Sequence, residues 1–231
     1  VQDADDIVAV ARATWGLGEA LPREFVVALG ESGNPTWAAF HGDEMVAYAL
    51  GWLGVDAAER LHLHSHMLAA RPDRRHRGIG AALKLAQRAD CLDRGVMTAR
   101  WTFDPLIARN AHLNITKLGA VCDGFHRNLY GAMTDVLNAG DRSDRLVVRW
   151  DLEREPGPRV ISAGAETSSV EIPADYPALR AQDPDAAASV RDEAARLLTE
   201  AFDRGLEVLA FDADREGGHP RYLLAPSEVA P

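Results

Sequence analysis

Residues 3–15 carry Ile7, Val8, Val10, Ala11 and Trp15 at helical spacing, with acidic side chains at the start of the stripe where they suit the positive end of a helix dipole. An opening helix is predicted there. Residues 36–41 and 45–53 are short apolar runs on either side of His41-Gly42-Asp43, and glycine at that point permits the chain reversal of a hairpin. A third strand is predicted over 61–70. A helix follows over 79–93, with Ile79, Leu83, Ala86 and Ala89 on one face and Gly95 marking its end. Residues 96–103 form another strand candidate, closed by Asp104-Pro105 because proline donates no ladder hydrogen bond. Ala111, Ile115 and Leu118 then repeat at helical spacing over 110–118, stopped by Gly119, and 146–152 supplies a further strand. An antiparallel hairpin combined with a strand-helix-strand crossover predicts an α/β domain with a mixed sheet.

Pro156, Gly157, Pro158 and Gly164 make 154–165 a connection. Beyond it, Asp183-Pro184 starts a helix with Val190, Ala194, Leu197 and Ala201 inward, ended by Gly205. Strands over 206–211 and 222–224 flank a turn at Glu216-Gly217-Gly218. The expected organisation is a main domain over 1–153 and an α/β extension over 154–231. The extension has too little apolar material to stand alone, so it is expected to pack on the main domain or on a second copy of the chain, as a homodimer.

The chain has 231 residues, 47% of them hydrophobic, enough for a real core. It contains no apolar run of membrane-spanning length, and residues 1–6 are acidic rather than basic-then-apolar as in a signal peptide, so a cytoplasmic protein away from membranes is expected. Cys91 and Cys122 lack C-x-x-C spacing and give no support for a disulfide framework or structural zinc. A net charge of -10 opposes nonspecific attraction to nucleic acid or anionic lipid. A polyanionic ligand therefore needs a local basic patch.

Such a patch lies between the third strand and the following helix, in Arg71-Pro72-Asp73-Arg74-Arg75-His76-Arg77-Gly78-Ile79-Gly80. Its glycines allow close backbone approach, N–H groups at a helix N-terminus can donate to an anion, and arginine adds charge-assisted phosphate contacts. The alternative is a solvated basic turn. The first glycine of G-x-G-x-x-G is missing, which disfavours a dinucleotide site, and no Gly-Lys-Ser/Thr ending supports a nucleotide hydrolase. Arg75-x-x-Gly78-x-Gly80 resembles the coenzyme A pyrophosphate loop of the GNAT acyltransferase superfamily, and the resemblance covers about residues 1–153. It implies the GNAT fold, a mixed and mostly antiparallel sheet flanked by helices, with acyl-CoA as cosubstrate and no metal. It also implies that Arg75, His76, Arg77, Gly78, Ile79 and Gly80 hold the pyrophosphate. In the family the preceding strand splays through a bulge, and its freed backbone groups, here those of Met67, Leu68 and Ala70, bind the pantetheine arm.

Trp101 to Leu106, Asn110 to Asn114, Lys117 to Ala120, Asn128 to Gly131 and Ser143 to Arg145 resemble a bacterial GNAT subgroup of predicted acetyltransferases. Some members are associated with N-succinylation of amino acids, and the extension is similar to that subgroup's. The resemblance therefore implies acetyl-CoA or succinyl-CoA as donor and an amine, above all an amino acid, as acceptor.

His62, His64 and His66 alternate along the predicted strand and so share a face. Three readings stand: a metal pair, half-buried structural histidines, and proton transfer from an amine nucleophile, for which imidazole titrates in the right range. His64-Ser65-His66-Met67-Leu68-Ala69 also resembles the His-x-His-x-Leu-Ala stretch of arylalkylamine N-acetyltransferases, which implies proton acceptance by His66 first and His64 second. Asn110 and Asn114 stand one helical turn apart and can hold pantetheine or phosphate, or else cap a helix and face solvent. Tyr130 lies where the family often has a tyrosine that protonates the departing thiolate; a buried structural tyrosine is the alternative. Asp104 is either near the site or simply turn-forming. Arg100, Arg109 and Arg127 are candidates for pairing a substrate carboxylate. The expected reaction is direct attack of the amine on the thioester, with backbone N–H at Met67 or Leu68 steadying the oxyanion and neither cysteine engaged. The alternative is a noncatalytic CoA-binding module.

Overall fold

The computed structural model describes residues 3–16, 21–56, 58–74, 78–162, 166–213 and 219–227. The chain forms two compact units: Val1–Trp101 with Ala132–Gly140 and Asp151–Glu153, and Thr102–Gly131 with Asp141–Trp150 and Arg154–Pro231. Among the described residues, no helix is long and apolar enough to cross a membrane.

In the first unit, α1 (Ala4–Trp15) and α2 (Arg23–Glu31) precede β1 (Thr36–His41), β2 (Glu44–Val55) and β3 (Leu61–Ala70), and α3 (Ile79–Asp93) leads to β4 (Thr98–Phe103). The strands lie in the order β1-β2-β3-β4, antiparallel except for the parallel β3–β4 pair. β2 is buried on both faces, which is why its sequence is a continuous apolar run rather than an alternation. Tyr48 and Leu50 pack with Ile7, Val10 and Ala11 of α1 and Val26 and Leu29 of α2. Ala47 and Ala49 face the other way, with Leu83 of α3 and the partly buried Leu68, Ala70 and Ile79. Each large side chain enclosed in this way contributes about 1.5–3 kcal/mol.

The inward face of α3 differs from the expected one. Leu83, Lys84, Gln87 and Cys91 are buried, whereas Ala86 and Ala89 are exposed. A lysine and a glutamine occupy the interior because Ser65 of β3 gives both a hydrogen-bond partner there.

The second unit contains α4 (Ala108–Ala111), β5 (Val121–His126), β6 (Arg145–Asp151), β7 (Ser168–Glu171), α5 (Tyr176–Gln182), α6 (Pro184–Asp203), β8 (Leu206–Asp212) and β9 (Arg221–Pro226). Its strands pair antiparallel in the order β6-β5-β8-β9-β7. α4 does not continue as the α-helix expected over 110–118, because His112–Lys117 widens into a π-turn. α6 starts as expected: the Asp183 carboxylate accepts from the Ala186 amide at 3.0 Å and Pro184 takes the first turn. Its buried stripe is Ala187, Arg191, Ala194, Ala195, Leu198 and Ala201, so Val190 and Leu197 are only partly covered and an arginine stands inside. The expected turn at Glu216-Gly217-Gly218 lies outside the described residues.

Candidate active site

The site is built on an irregularity in β3. Leu50 of β2 pairs with Met67 and Gly51 with Ser65, so His66 is an extra residue without a partner on β2. This is a β-bulge, and it resets the alternation of the strand. Before it, Ser65 faces α3; after it, Leu68 and Ala70 do, while Met67 and Ala69 turn with His64 and His66 toward the α1 side. Gly51 is required opposite, because a Cβ there would run into the His64 carbonyl oxygen. The parallel register with β4 covers only Leu63–Ala99 and His64–Arg100. From Ser65 onward β3 and β4 have no shared register, and the two strands form a fork with its apex beside the bulge.

On one side of the apex Trp52 stacks on His64 with centroids 4.8 Å apart and lies 4.8 Å from the His66 ring, and the two imidazoles are 5.7 Å apart. Burial pushes the His64 imidazole down to about 4, helped by the neighbouring His66, His62 and Lys84. Burial also lowers His66, whose side chain is nonetheless exposed, and solvent limits that effect. Both rings are therefore neutral at pH 7 and can accept a proton. Among the described residues, no group of three or more His, Cys, Asp or Glu side chains is arranged to hold a metal ion.

On the other side of the apex, Lys84 is only 4% exposed. Its Nζ donates to Ser65 Oγ at 2.8 Å and lies 3.7 Å from the centre of the Trp101 ring, so it contacts the first residue of each strand beyond their shared register. Burial lowers its ammonium to about 7. Nothing in the sequence marked Lys84, Ser65 or Trp52, since each gains its role only through the pairing of β2, β3 and β4.

At the open end, Gly78 is the N-cap of α3 with φ 77°, and among the described residues nothing lies within 4 Å of where its Cβ would be. The position thus combines a left-handed backbone that glycine tolerates with open space in front of a helix N-terminus, a fit for a phosphate group. Ile79 and Gly80 open the helix. Arg75, His76 and Arg77 lie outside the described residues. Arg71 is engaged with Glu44 at 2.5 Å, and Arg74 lies 3.4 Å from Asp73.

In the second unit, Asn110 is the third residue of α4 and does not cap it, Ile107 holding that position. Asn114 sits in the π-turn, 4% exposed rather than solvated. No protein hydrogen bond to its amide is present among the described residues. The wide turn, closed by Leu118 N–H donating to Leu113 O at 3.0 Å, brings Asn114 onto the buried side with Ala111 and Ile115. Tyr130 is 46% exposed, so the reading as a buried structural tyrosine is excluded. Its hydroxyl lies 3.0 Å from Thr102 Oγ1, and its N–H donates to Ser143 Oγ at 2.9 Å. Asp104 makes the expected turn, accepting from the Leu106 amide at 2.9 Å, and also takes the buried Arg191 at 2.9 Å. Arg127 is paired with Asp192 at 2.8 Å, Arg109 is exposed, and Arg100 aligns with His64 across the parallel pair.

Comparisons with known proteins agree with this architecture. No curated protein matches the sequence. The ribosomal-protein-S18-alanine N-acetyltransferase from Escherichia coli is similar in structure, with 16% identity and a TM-score of 0.51 over 71% of this chain and 93% of that one. Naa50 from Arabidopsis thaliana, in complex with the bisubstrate analogue CoA-Ac-MVNAL, has 14% identity and a TM-score of 0.50 over 64% of this chain and 91% of that one. At these identities the likeness shows the GNAT fold. Residues 7–112, which contain the bulged strand, Gly78 and the fork, match the acetyltransferase (GNAT) family, whose members are acyl-CoA-dependent N-acetyltransferases.

Proposed function

We propose that the protein moves an acetyl or succinyl group from acyl-CoA onto the amine of a small molecule, an amino acid, in one direct step. The observation that carries this reading is the bulge at His66, which opens β3 from β4 and sets two neutral imidazoles beside the opening. The pyrophosphate is assigned to the segment from Arg75 to Gly80, with Gly78 giving the close approach, and the pantetheine arm to backbone groups of Met67, Leu68 and Ala70 and to the amides of Asn110 and Asn114. The amine nitrogen bonds to the thioester carbon while Met67 or Leu68 N–H steadies the oxyanion. His66, or a water held by it, accepts the amine proton, with His64 as its substitute. The carbon–sulfur bond then breaks and Tyr130 gives its proton to the departing thiolate. The products are an amide and free CoA thiol.

An amino-acid acceptor is favoured because Arg100 stands in register with His64 and points to the same side of the sheet, opposite Trp101. A guanidinium there suits bidentate pairing with a carboxylate. The deciding assay measures thiol release from acetyl-CoA and succinyl-CoA against L- and D-amino acids, amines and peptides. Amino acids should exceed their decarboxylated amines in kcat/KM, and equal values for such a pair would remove the case for carboxylate recognition.

A further inference from the structure

We infer that Arg191, in the C-terminal segment, is a positioning residue that holds Tyr130 in place from behind. The inference rests on the proton-donor reading of Tyr130. Arg191 is 2% exposed and makes two carboxylate contacts at once: Nη2 lies 2.9 Å from Asp104 Oδ2, and Nε lies 2.7 Å from Asp141 Oδ1. Tyr176 completes the cluster, its hydroxyl donating to Asp141 Oδ2 at 2.9 Å and accepting from Arg191 Nε at 3.1 Å.

The two carboxylates stand at the ends of the two segments that hold Tyr130. Asp104 is two residues beyond Thr102, whose hydroxyl is bonded to the Tyr130 hydroxyl. Asp141 is two residues before Ser143, whose hydroxyl accepts from the Tyr130 amide and donates to the Gly131 carbonyl. A third link runs through Arg145, 3.7 Å from Asp104 and 5.4 Å from the centre of the Tyr130 ring. One planar, doubly bonded guanidinium thus fixes the spacing of the Thr102 and Ser143 hydroxyls, a task that a lysine point charge performs poorly. Tyr130 itself is 46% exposed, with Arg145 over its ring. Its orientation depends on these polar anchors.

The test uses the full chain labelled with 3-fluorotyrosine. The protein contains four tyrosines, and Tyr130→Phe assigns the Tyr130 fluorine resonance. In Arg191→Met that resonance should move or broaden, while the Tyr48 resonance, from the first unit, stays in place. Thiol release from acetyl-CoA should lose at least about tenfold in kcat with its KM for acetyl-CoA little changed, since general-acid contributions typically lie between about 10² and 10⁴. Arg191→Lys, which keeps the buried charge and replaces Arg191→Met if that variant does not fold, should show a smaller change in the same direction. Arg191→Met should cost little more once Tyr130→Phe is present. A folded Arg191 variant with an unmoved Tyr130 resonance, or a kcat loss that persists in full on top of Tyr130→Phe, overturns the inference. A Tyr130→Phe enzyme with unchanged kcat instead removes the proton-donor reading itself.

Discussion

At the residue scale, the histidines and Gly78 give the sharpest expectations. Imidazole in water titrates near 6.5, and burial under Trp52 takes His64 to about 4. With His64 as base, kcat/KM should therefore hold until pH approaches 4. The same shift has a stability consequence. Between about 4 and 6.5 the unfolded chain binds a proton at residue 64 that the folded chain does not, so stability should rise with pH across that window. His64→Gln should flatten the rise in denaturant titrations, and an unchanged slope would mean that His64 is not the group responsible. For turnover, His66→Gln should lose about 10²-fold or more in kcat/KM. Near-wild-type rates in His64→Gln/His66→Gln would remove both from the chemistry. Gly78→Val should weaken CoA binding, but part of any loss could come from backbone strain of about 1–3 kcal/mol. Gly33 has φ 80° and equally open surroundings, so Gly33→Val is a strain-matched control. Calorimetry should find CoA affinity reduced only in the Gly78 variant; equal affinities would displace the pyrophosphate from this loop.

At the element scale, two backbone irregularities make the site, and neither was readable as a pattern. The alternation of His62, His64 and His66 predicts a regular strand, whereas the bulge at His66 changes which residues beyond it face α3. Only the family resemblance implied a bulge, since it is specified by the pairing of β3 with β2 and by Gly51. The helical spacing of Ala111, Ile115 and Leu118 is real, yet the π-turn between them decides that Asn114 is buried. Long elements with clear caps or strong periodicity were legible, among them α1, β3, α3 and α6. Those missed were short or carried residues that argue against their class: Asp123 and Gly124 inside β5, the nine residues of α2 with only Val26 and Leu29 fully inward, and the four of β7. The buried faces of α3 and α6 were misjudged for one reason. Lys84, Gln87 and Arg191 are polar and so fall outside an inward face read from apolar spacing, but each meets a partner inside, Ser65 for the first two and Asp104 with Asp141 for the third. Asn114→Ala tests the π-turn directly. Among the described residues the side-chain amide has no partner to lose, so thermal stability should barely change, while CoA affinity falls about 3- to 10-fold, the worth of one hydrogen bond. A clear loss of stability with unchanged CoA affinity would make Asn114 a structural residue only.

At the scale of the whole molecule, the C-terminal segment shares a core with the middle of the chain. β8 pairs with β5 at Cys122 and Val208, Thr116 Oγ1 donates to the Phe211 carbonyl at 3.2 Å, and the buried Tyr222 hydroxyl donates to the Pro105 carbonyl at 2.5 Å. Arg191 neutralises Asp104 and Asp141, both mostly enclosed. Burial alone would raise the Asp141 carboxyl, and the Arg191 guanidinium overrides this and holds it below the usual carboxylate range. A chain cut after residue 153 leaves β5 with an open edge, Pro105 and Thr116 with unmet polar groups, and two enclosed carboxylates without their cation. Removing one partner of a buried ion pair alone costs about 3–5 kcal/mol, comparable to much of a domain's net stability of about 5–15 kcal/mol. The fragment 1–153 should therefore be insoluble or lack a cooperative melting transition, although it contains the whole family-matching stretch, residues 7–112. Coexpression with 154–231 as a separate chain should restore solubility and CoA binding, because the contacts to be re-formed do not depend on the connection at 153. A soluble, cooperatively melting fragment 1–153 that turns over acetyl-CoA at the full-length rate would show that the C-terminal segment contributes neither to the fold nor to the site.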